Sequence, residues 1–260
     1  MLQNRVIPVL LLTNGSLVKT KQFKSPTYIG DPVNTALIFN ELEADELVLL
    51  DISPTVHQCG PDFKTLQSVA SECFMPLAYG GGISSCEQGE KILNLGFEKI
   101  VINSSAIEEP NLISNLAHAL GSQAVVVGVD FRRMRDNSRA VFSRNGRRRA
   151  ELDLVSWCRR AEMYGAGELL LTSIDSEGTW SGYDLPAIKE VASAVGIPVI
   201  ANGGAGSLAD IESLFFHTGA LGAGVGSMFV FQGRGKGVLV NMPSKEQLRD
   251  ITKTKYGSRL

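Results

Sequence analysis

The sequence predicts an α/β fold, a (β/α)8 barrel built from two half-barrel repeats. Two observations predict it. Eight short apolar segments of strand length alternate with helical patterns, and the first half of the chain is repeated in the second half. Parallel strands buried on both faces appear as nearly continuous apolar runs, and strand–helix alternation favours a parallel sheet. Eight such units are the number that closes a barrel.

The apolar segments end in polar residues or glycines, as strands do where they reach a loop. The eight predicted strands lie at residues 6–12, 46–52, 76–80, 99–103, 124–130, 168–174, 198–202 and 222–225. Helical patterns lie between most of them, for example at 31–44, 152–165 and 208–219. The first segment, VIPVLLL, follows an arginine as the apolar part of a signal peptide would. No small-residue cleavage site comes after it, so we interpret it as a strand.

The internal repeat has a nearly constant offset of about 122 residues. The paired segments are YGGGISS and NGGAGS, LEADELVLLDIS and YGAGELLLTSID, VINSSA and GVGSMF, and VIPVLLL and VVVGVDF. Four matches at almost one offset indicate two half-barrels, each of four strand–helix units. We therefore predict one domain over 1–260, with half-barrels at about 1–120 and 121–245 and a short C-terminal tail.

Composition limits the classes of function. The formal net charge is −2, and no apolar run approaches the roughly 18 residues of a membrane span. We therefore expect no nucleic-acid partner and no membrane insertion. The four cysteines are scattered without a CxxC pair, and no histidine has a second metal ligand nearby in sequence. We predict no metal, no cofactor and no disulfide, and a reduced, cytoplasmic location.

Glycine-rich loops follow two predicted strands at matching places in the two halves. YGGGISS ends in Ser84 and Ser85, NGGAGS ends in Ser207, and each of these serines is a candidate helix cap. Backbone N–H groups at a helix start bind anions, so we predict phosphate binding; a tight turn alone is the alternative. The predicted phosphate-binding residues are Gly81, Gly82 and Asn103 on one side and Gly203, Gly204, Gly226 and Ser227 on the other. Two such sites would suit a long substrate with a phosphate at each end.

Polar side chains at the other strand ends are few, which makes them candidates for substrate contact. They are Asp51, Asn103, Asp130, Thr172, Asp175 and Glu177. The buried strand AVVVGV carries the Asp130 carboxylate into the barrel mouth, where a raised pKa would make it a general base. A structural acceptor for backbone N–H groups is the alternative role for Asp130.

The segment at 131–149 contains eight arginines in a nearly neutral chain. Asn145-Gly146 is a strong hairpin turn signal, so we predict a β-ribbon on the face that carries the strand ends. A solvated ribbon is one interpretation of its charge. Docking of an acidic partner or of a phosphorylated substrate is the other.

Long motifs identify a family. RVIP, DELVLLDI, GSQAVVV, GAGELLLTSIDSEGTWSGYD and GGAGS resemble the cyclase subunit of imidazole glycerol phosphate synthase, and the resemblance covers essentially the whole chain. It implies a barrel with two phosphate sites and a glutaminase subunit at its bottom, whose ammonia passes through the barrel. In that family, ammonia and a phosphoribulosyl aminoimidazole carboxamide intermediate yield imidazole glycerol phosphate and an aminoimidazole carboxamide ribotide.

The resemblance also implies roles for individual residues. The family's ammonia gate, a ring of charges at the barrel bottom, matches Arg5, Glu46, Lys99 and Glu168. A purely stabilising role for this ring is the alternative. Positions that the family uses around its substrate match Lys19, Asp51, Asn103 and Gln123. Asp130 matches the family's catalytic base.

Two positions depart from the family pattern. The family has a general-acid aspartate in IPCLDV, whereas this chain reads IPVLLL and places Leu11 there. Glu177 stands where the family usually has aspartate. Loss of one acid–base group typically costs about 10²–10⁴ in rate. The pattern resembles a branch of the family that acts in acetamidino modification of surface-polysaccharide sugars, where the barrel is thought to supply ammonia to a sugar amidotransferase.

Three functions remain open on the sequence. The first is an ammonia-channelling subunit with weak or no cyclase activity. The second is a working cyclase of histidine biosynthesis, in which Asp130 or Asp175 replaces the missing acid. The third is a non-catalytic scaffold that activates a glutaminase. What occupies the two predicted phosphate sites is not determined by the sequence.

Overall fold

The eight predicted strands form a closed parallel barrel in the computed structural model, which describes residues 4–53 and 60–253. The strands are β1 (Arg5–Thr13), β2 (Ser16–Lys21), β3 (Lys24–Gly30), β4 (Leu47–Asp51), β5 (Leu77–Gly80), β6 (Lys99–Ile102), β7 (Val125–Arg133), β8 (Arg139–Ser143), β9 (Arg148–Asp153), β10 (Glu168–Ser173), β11 (Val199–Asn202) and β12 (Gly222–Val225). Around the barrel the order is β1, β4, β5, β6, β7, β10, β11 and β12, and β12 pairs with β1 to close it. The predicted fold class is confirmed.

Helices follow most of the barrel strands. They are α1 (Pro32–Glu41), α2 (Phe63–Glu72), α3 (Cys86–Asn94), α4 (Ser104–Glu108), α5 (Asn111–Leu120), α6 (Leu154–Met163), α7 (Leu185–Ala192), α8 (Leu208–His217), α9 (Ser227–Val230) and α10 (Lys245–Lys253). In the described part of the chain the longest helices have ten residues. None is long and apolar enough to cross a membrane, since a span needs about 20 residues.

The barrel strands are buried on both faces, which explains their nearly continuous apolar character. Side chains that point inward form one apolar cluster: Ile7, Val9, Val48, Ala78, Val101, Val126, Leu170 and Ile200. Side chains that point outward join the helices in a second, larger cluster that includes Leu10, Leu12 and Trp157. The alternation along β1 therefore directs Arg5, Ile7, Val9 and Leu11 toward the barrel interior.

Each half-barrel begins with a nine-residue strand that continues into an antiparallel hairpin. In the second half, β7 pairs with β8, and the chain then turns at Asn145 (φ 55°) and Gly146 (φ 71°) into β9, so the predicted arginine-rich ribbon is confirmed. After β1, it turns at Asn14 (φ 48°) and Gly15 (φ 73°) into β2 and β3, a hairpin that we did not predict. Asn14-Gly15 is the same turn signal and could have revealed it.

The predicted helix caps are present at both glycine-rich loops. The Ser85 side chain accepts a hydrogen bond from the backbone N–H of Gln88 at the start of α3. The Ser207 side chain accepts one from the N–H of Asp210 at the start of α8. The C-terminal segment contains α10, a helix that the sequence analysis did not predict, and its Leu248 and Ile251 are buried in the main core.

Candidate functional site

Two cavities open at the C-terminal ends of the barrel strands. The β11 cavity encloses about 1290 Å³ of space, which includes open solvent, and its lining includes Gly203, Gly204, Gly226 and Ser227. The β5 cavity encloses about 1220 Å³, and its lining includes Gly81, Gly82 and Asn103. The two cavities meet at Asp130 and Thr172, which line both of them. The structure thus gathers the predicted phosphate-binding residues into two sites on one mouth.

Close backbone approach explains the glycines in both loops. Gly81 has φ 138°, and a Cβ there would lie 2.5 Å from the carbonyl oxygen of Asp51. Gly204 has φ 110°, and a Cβ there would collide with the carbonyl oxygen of Gly182. Only glycine adopts these conformations without strain. The loops therefore present backbone close to each cavity, with helices α3 and α8 beginning a few residues later.

Asp130 lies at the junction of the two cavities. Its Oδ2 accepts a hydrogen bond of 2.8 Å from Nδ2 of Asn103, and Thr172 also bonds its carboxyl group. Burial raises the pKa of Asp130 to about 7, although these two hydrogen bonds oppose the rise. Asn202, which the sequence analysis did not single out, extends the network by donating to Oγ1 of Thr172 over 3.2 Å. A carboxyl group with this pKa is suited to accept or release a proton near neutral pH.

Leu11 faces the junction from the opposite side. It lies on β1, four strands around the barrel from β7, which carries Asp130. Leu11 lines the β11 cavity together with Val9 and Leu50, so this part of the mouth is apolar. No proton donor stands at the Leu11 position, which is occupied by a hydrocarbon side chain.

Lys19 extends from β2 into the β11 cavity. Its Nζ donates a hydrogen bond of 2.5 Å to the carbonyl oxygen of Val9, and the residue is buried. Burial lowers the pKa of Lys19 to about 8, while the nearby Glu177 carboxylate opposes the fall. The Lys19 amine is therefore mostly protonated at pH 7. It lies where it can contact a ligand in the β11 cavity.

The three other predicted substrate-binding carboxylates occupy different surroundings. Glu177 is buried, lines the β11 cavity, and accepts hydrogen bonds from Oγ1 of Thr20 (2.9 Å) and the N–H of Phe23 (3.0 Å). Asp51 lines the β5 cavity, and burial raises its pKa against a hydrogen bond from Ser53. Asp175 is not among the lining residues of either cavity. Its side chain is 48% exposed and accepts from the N–H of Arg133 over 2.9 Å.

Gln123 does not lie at the mouth. It belongs to a short 3-10 helix, Ser122–Ala124, which precedes β7 and therefore stands at the N-terminal ends of the strands. The expectation that Gln123 lies around the substrate is wrong. Gln123 is next to β7 in sequence, but it precedes that strand and therefore lies at the N-terminal end of the barrel, opposite the mouth.

The tip of the arginine-rich hairpin lies over the mouth. Asn145 donates a hydrogen bond of 2.9 Å from Nδ2 to the carbonyl oxygen of Ile52, and it lines both cavities. Arg144 lines the β5 cavity and Arg147 lines the β11 cavity. The Asn-Gly turn signal located the tip in the sequence, but it gave no indication that the hairpin folds back across the barrel.

The four charged residues expected at the barrel bottom meet in a closed ring, which we name the charged ring: Arg5, Glu46, Lys99 and Glu168. Arg5 bonds Glu46 (2.5 Å) and Glu168, and Lys99 bonds the same two carboxylates at 3.0 and 2.9 Å. Burial alone would lower the pKa of Arg5, but the charges and hydrogen bonds of Glu168 and Glu46 outweigh it and raise that pKa. Each charge in the ring therefore touches two of opposite sign.

Comparisons with known proteins agree with this geometry. The family described as Histidine biosynthesis protein matches residues 5–235. A Leptospira interrogans protein, provisionally named imidazole glycerol phosphate synthase subunit HisF, is 46% identical over 95% of this chain and 97% of its own. A Pseudomonas aeruginosa protein, provisionally named subunit hisF2, is 45% identical over 95% and 99%. The subunit HisF of Streptococcus mutans is 42% identical over 88% and 91%. The chain belongs to the histidine biosynthesis protein family, as a HisF-like barrel of the imidazole glycerol phosphate synthase type.

Proposed function

We propose that this barrel receives ammonia from a HisH-like glutaminase at its bottom and channels it to the mouth, with weak or no cyclase activity. The ammonia would serve acetamidino modification of a sugar in surface-polysaccharide (O-antigen) biosynthesis, through a separate sugar amidotransferase in the cytoplasm. The observation that carries the proposal is the contrast along the barrel axis. The charged ring is complete, whereas Leu11 stands at the mouth where the related cyclases have an acid.

The charged ring and the interior together favour a conduit for a neutral molecule. Above the ring the interior is lined by aliphatic side chains such as Ile7, Val48 and Val126. An ammonium ion would lose its hydration there at a cost of several kcal/mol per ion, whereas the cost for neutral ammonia is much smaller because it carries no net charge. Lys99 makes two of the four ion pairs of the ring, so a rotation of this side chain would break half of the ring's ion pairs.

The exposed surface around the ring supports docking of the glutaminase. The turns from helix to strand lie at the N-terminal ends of the barrel strands, where the ring is. Several large apolar residues are exposed at these turns: Leu42, Phe74, Met163 and Phe216. Phe74 and Met163 are 90% and 79% exposed, so a docked partner would remove a large apolar area from water there. Such residues are typical anchors of a protein interface.

The composition of the mouth supports weak cyclase activity. Asp130 keeps a pKa suited to a base, but its counterpart across the barrel, Leu11, cannot donate a proton. Relatives numbered hisF2 in Pseudomonas aeruginosa and hisF3 in Vibrio vulnificus are 45% and 44% identical to this chain. Numbered copies are what a branch that exists beside the histidine enzyme would be expected to have.

A working cyclase subunit of histidine biosynthesis is the second candidate. Asp130 at the junction of the two cavities favours it, as does 42% identity to the Streptococcus mutans subunit HisF. In this case another group near the mouth would replace the missing acid. Of the two carboxylates considered, Asp175 lies outside both cavity linings, which leaves Asp130 to act as both base and acid.

A cyclase assay separates the two candidates. The purified chain is given the phosphoribulosyl aminoimidazole carboxamide intermediate with an ammonium salt, and imidazole glycerol phosphate is measured. We expect little turnover by the natural chain and a gain of about 10²-fold or more in Leu11→Asp. Leu11→Asn is the matched control, because its amide is similar in size to the carboxyl group and polar but has no acidic proton to transfer. Turnover by the natural chain at the level of an ordinary cyclase would rule out the first candidate.

A second experiment tests the conduit with the glutaminase and sugar amidotransferase present. Lys99→Met removes one charge from the ring, and Lys91→Met, on the outer helix α3, is its control. We expect Lys99→Met to lower the product formed per glutamine hydrolysed, with ammonia lost to the solvent, while product formation from added ammonium salt is unchanged. If product per glutamine is the same in both variants, the chain acts as a scaffold that activates the glutaminase without conducting ammonia.

A further inference from the structure

The arginine-rich hairpin carries a concentration of charge that the proposed conduit does not use. Residues 131–149 contain eight arginines and one carboxylate, Asp136, in a chain with a formal net charge of −2. They contain no lysine, although 11 of the chain's 25 basic residues are lysines. Any cation would keep the hairpin hydrated. The exclusive use of arginine favours recognition of carboxylates, because a planar guanidinium donates two parallel hydrogen bonds to one carboxylate.

Four of the eight arginines form ion pairs with carboxylates outside the hairpin. The pairs are Arg132 with Asp175, Arg139 with Asp184 and Glu190, and both Arg144 and Arg148 with Glu108. Their partners lie on the loop after β10, on α4, and at the start and within α7. These pairs attach the hairpin to the barrel on more than one side, and their charges are balanced within the chain.

The other four arginines are exposed, and within residues 4–53 and 60–253 none of them makes an ion pair. We name them the arginine surface: Arg133, Arg135, Arg147 and Arg149. The guanidinium of Arg133 donates only to a neutral acceptor, Oδ1 of Asn137, over 2.8 Å. Asp136 accepts hydrogen bonds from the N–H and the hydroxyl group of Ser138, at 3.0 and 2.6 Å. The arginine surface therefore offers its charges to a partner.

The arginine surface begins at the edge of the mouth and extends away from it. Arg147 lines the β11 cavity, and Asn145, at the tip of the hairpin, lines both cavities. Arg135 lies between β7 and β8, at the other end of the hairpin. The five residues of β8 separate the two ends by about 17 Å. This length, on exposed side chains, fits the surface of a macromolecule better than a small ligand.

The charge of the remaining chain favours a protein as the partner. Outside the hairpin, carboxylates outnumber basic residues, so a nucleic acid or an anionic membrane would be repelled by the neighbouring surface. A folded protein can instead present its carboxylates on a patch of limited size. The position beside the mouth indicates the enzyme that uses the ammonia. An amine with an ordinary pKa is protonated in water at pH 7, so ammonia that escapes from the mouth is no longer a nucleophile.

We propose that the arginine surface docks an acidic patch of the sugar amidotransferase, which then covers the mouth and receives the ammonia there. The proposal rests on the proposed function for the identity of this partner, and it adds the surface on which the partner binds. The glutaminase and the amidotransferase then occupy opposite ends of the barrel and bind at the same time. Attraction between the arginines and the acidic patch accelerates the encounter and orients the amidotransferase.

Surface plasmon resonance tests the docking, with the barrel–glutaminase complex attached through the glutaminase so that the mouth stays free. Arg135→Glu combined with Arg149→Glu reverses two charges outside both cavities and the charged ring. We expect the amidotransferase to bind this variant at least about tenfold more weakly, mainly through slower association, and with less dependence on ionic strength. The control, Arg159→Glu combined with Lys189→Glu, reverses two exposed charges on the outer helices α6 and α7. It should stay within about twofold of the natural chain.

A conservative pair of substitutions keeps the test valid if the reversed charges disturb folding. Arg135→Lys combined with Arg149→Lys retains both charges but not the two parallel hydrogen bonds of each guanidinium. We expect its association rate to stay within about twofold of the natural rate, with faster dissociation. Thermal unfolding of each variant shows whether the barrel is intact.

Three results would overturn the proposal. They are no binding of the amidotransferase by the natural complex, equal affinities of the hairpin variant and the control, and hairpin-dependent binding to phosphatidylserine vesicles with amidotransferase binding unchanged. The conduit experiment separates such a failure from failure of the proposed function. If Lys99→Met lowers product per glutamine but the hairpin variant binds normally, only the docking surface is wrong. If Lys99→Met and Lys91→Met give the same product per glutamine, the conduit itself is wrong.

Discussion

Both ends of the barrel carry ionisable residues, but these residues contact different kinds of partner at the two ends. At the bottom, each member of the charged ring touches two opposite charges, and the side chains of both carboxylates are only 5% exposed. At the mouth, Asp130 is bonded by the neutral groups of Asn103 and Thr172, and Lys19 by a carbonyl oxygen. Burial shifts both of their pKa values toward neutrality, and for Lys19 the nearby Glu177 carboxylate opposes this shift without cancelling it.

This difference indicates which end of the barrel can exchange protons near neutral pH. Opposite charges in contact compensate each other, so the ring is fitted to a structural or gating role. Buried groups without such partners are poised to change their protonation near neutral pH, which is characteristic of functional sites. One barrel thus separates a closed, balanced end from an end that can exchange protons and bind a ligand.

The largest expected effect is loss of one carboxylate from the ring. Glu168→Ala leaves Arg5 and Lys99 each with one partner fewer in partly buried positions, and we expect it to lower the free energy of unfolding by about 3 kcal/mol. Urea unfolding at pH 7 measures this. The control is Glu190→Ala, because Glu190 is a 57% exposed partner of Arg139 at the surface, where a pair contributes less than about 1 kcal/mol. Equal losses in the two variants would show that the ring is no more than a surface pair.

The second prediction concerns Asp130 and its pH dependence. Because its pKa is raised to about 7 in the folded state, the folded chain binds a proton more tightly than the unfolded chain between about pH 4 and 7. The stability contributed by this group therefore falls as pH rises through that window and is level above it. Above pH 7 the carboxyl group of Asp130 is ionised in the folded chain although burial favours its protonated form. This lowers the free energy of unfolding by about 4 kcal/mol relative to an Asp130 with an unshifted pKa. We expect about half of that to be recovered in Asp130→Asn, whose amide keeps only part of the hydrogen bonding.

Urea unfolding of both proteins at pH 5 and pH 8 provides the measurement for Asp130. Asp130→Asn should be more stable than the natural chain at pH 8, with a much smaller difference at pH 5. The comparison between the two ends of the barrel would fail if the difference were the same at both values of pH. Glu46→Gln at the bottom is a useful second reference, because that carboxylate has two cationic partners.

The third prediction concerns Lys19, for which the sign of the pH effect is opposite. Its pKa is lowered to about 8, so between about pH 8 and 10.5 the unfolded chain binds more protons and stability rises with pH. Lys19→Met removes the buried charge but also the hydrogen bond to the Val9 carbonyl oxygen. We expect the variant to be more stable by about 1.5 kcal/mol at pH 7 and to lose this advantage by pH 10.5. Thermal unfolding across that range measures it, and a constant difference would contradict the assigned pKa.

The smallest expected effect is at Glu177. Its carboxylate joins the first hairpin to the loop after β10 through Thr20 and Phe23. Glu177→Asp restores the residue usual in the family but is shorter by one methylene, so it should lose one of the two bonds and about 1 kcal/mol. Limited proteolysis within 16–30 should become faster. An unchanged rate of cleavage would show that Glu177 does not hold the hairpin over the mouth.

The sequence was sufficient for those features that depend on local pattern. The eight strands, the two glycine loops with caps at Ser85 and Ser207, and the turn at Asn145 were all predictable from apolar runs and short-range signals. Gln123 was misplaced although it directly precedes the predicted strand at 124–130, an order that assigns it to the N-terminal ends of the strands. The helix α10 was missed because its apolar residues, Leu248 and Ile251, are few in a polar segment.

What the sequence by itself determined is the barrel, its internal repeat, and the replacement of an acid by Leu11. These follow from the periodicity of apolar residues and from which residue stands at each strand end, and both are properties of short segments. The tertiary structure alone decided that the hairpin tip crosses the mouth, that Arg147 makes no ion pair within the described residues while Arg144 is bound by Glu108, and that burial shifts the pKa of Asp130. The reason is physical: charge pairing and desolvation depend on neighbours that are distant in the chain and meet only when the barrel closes.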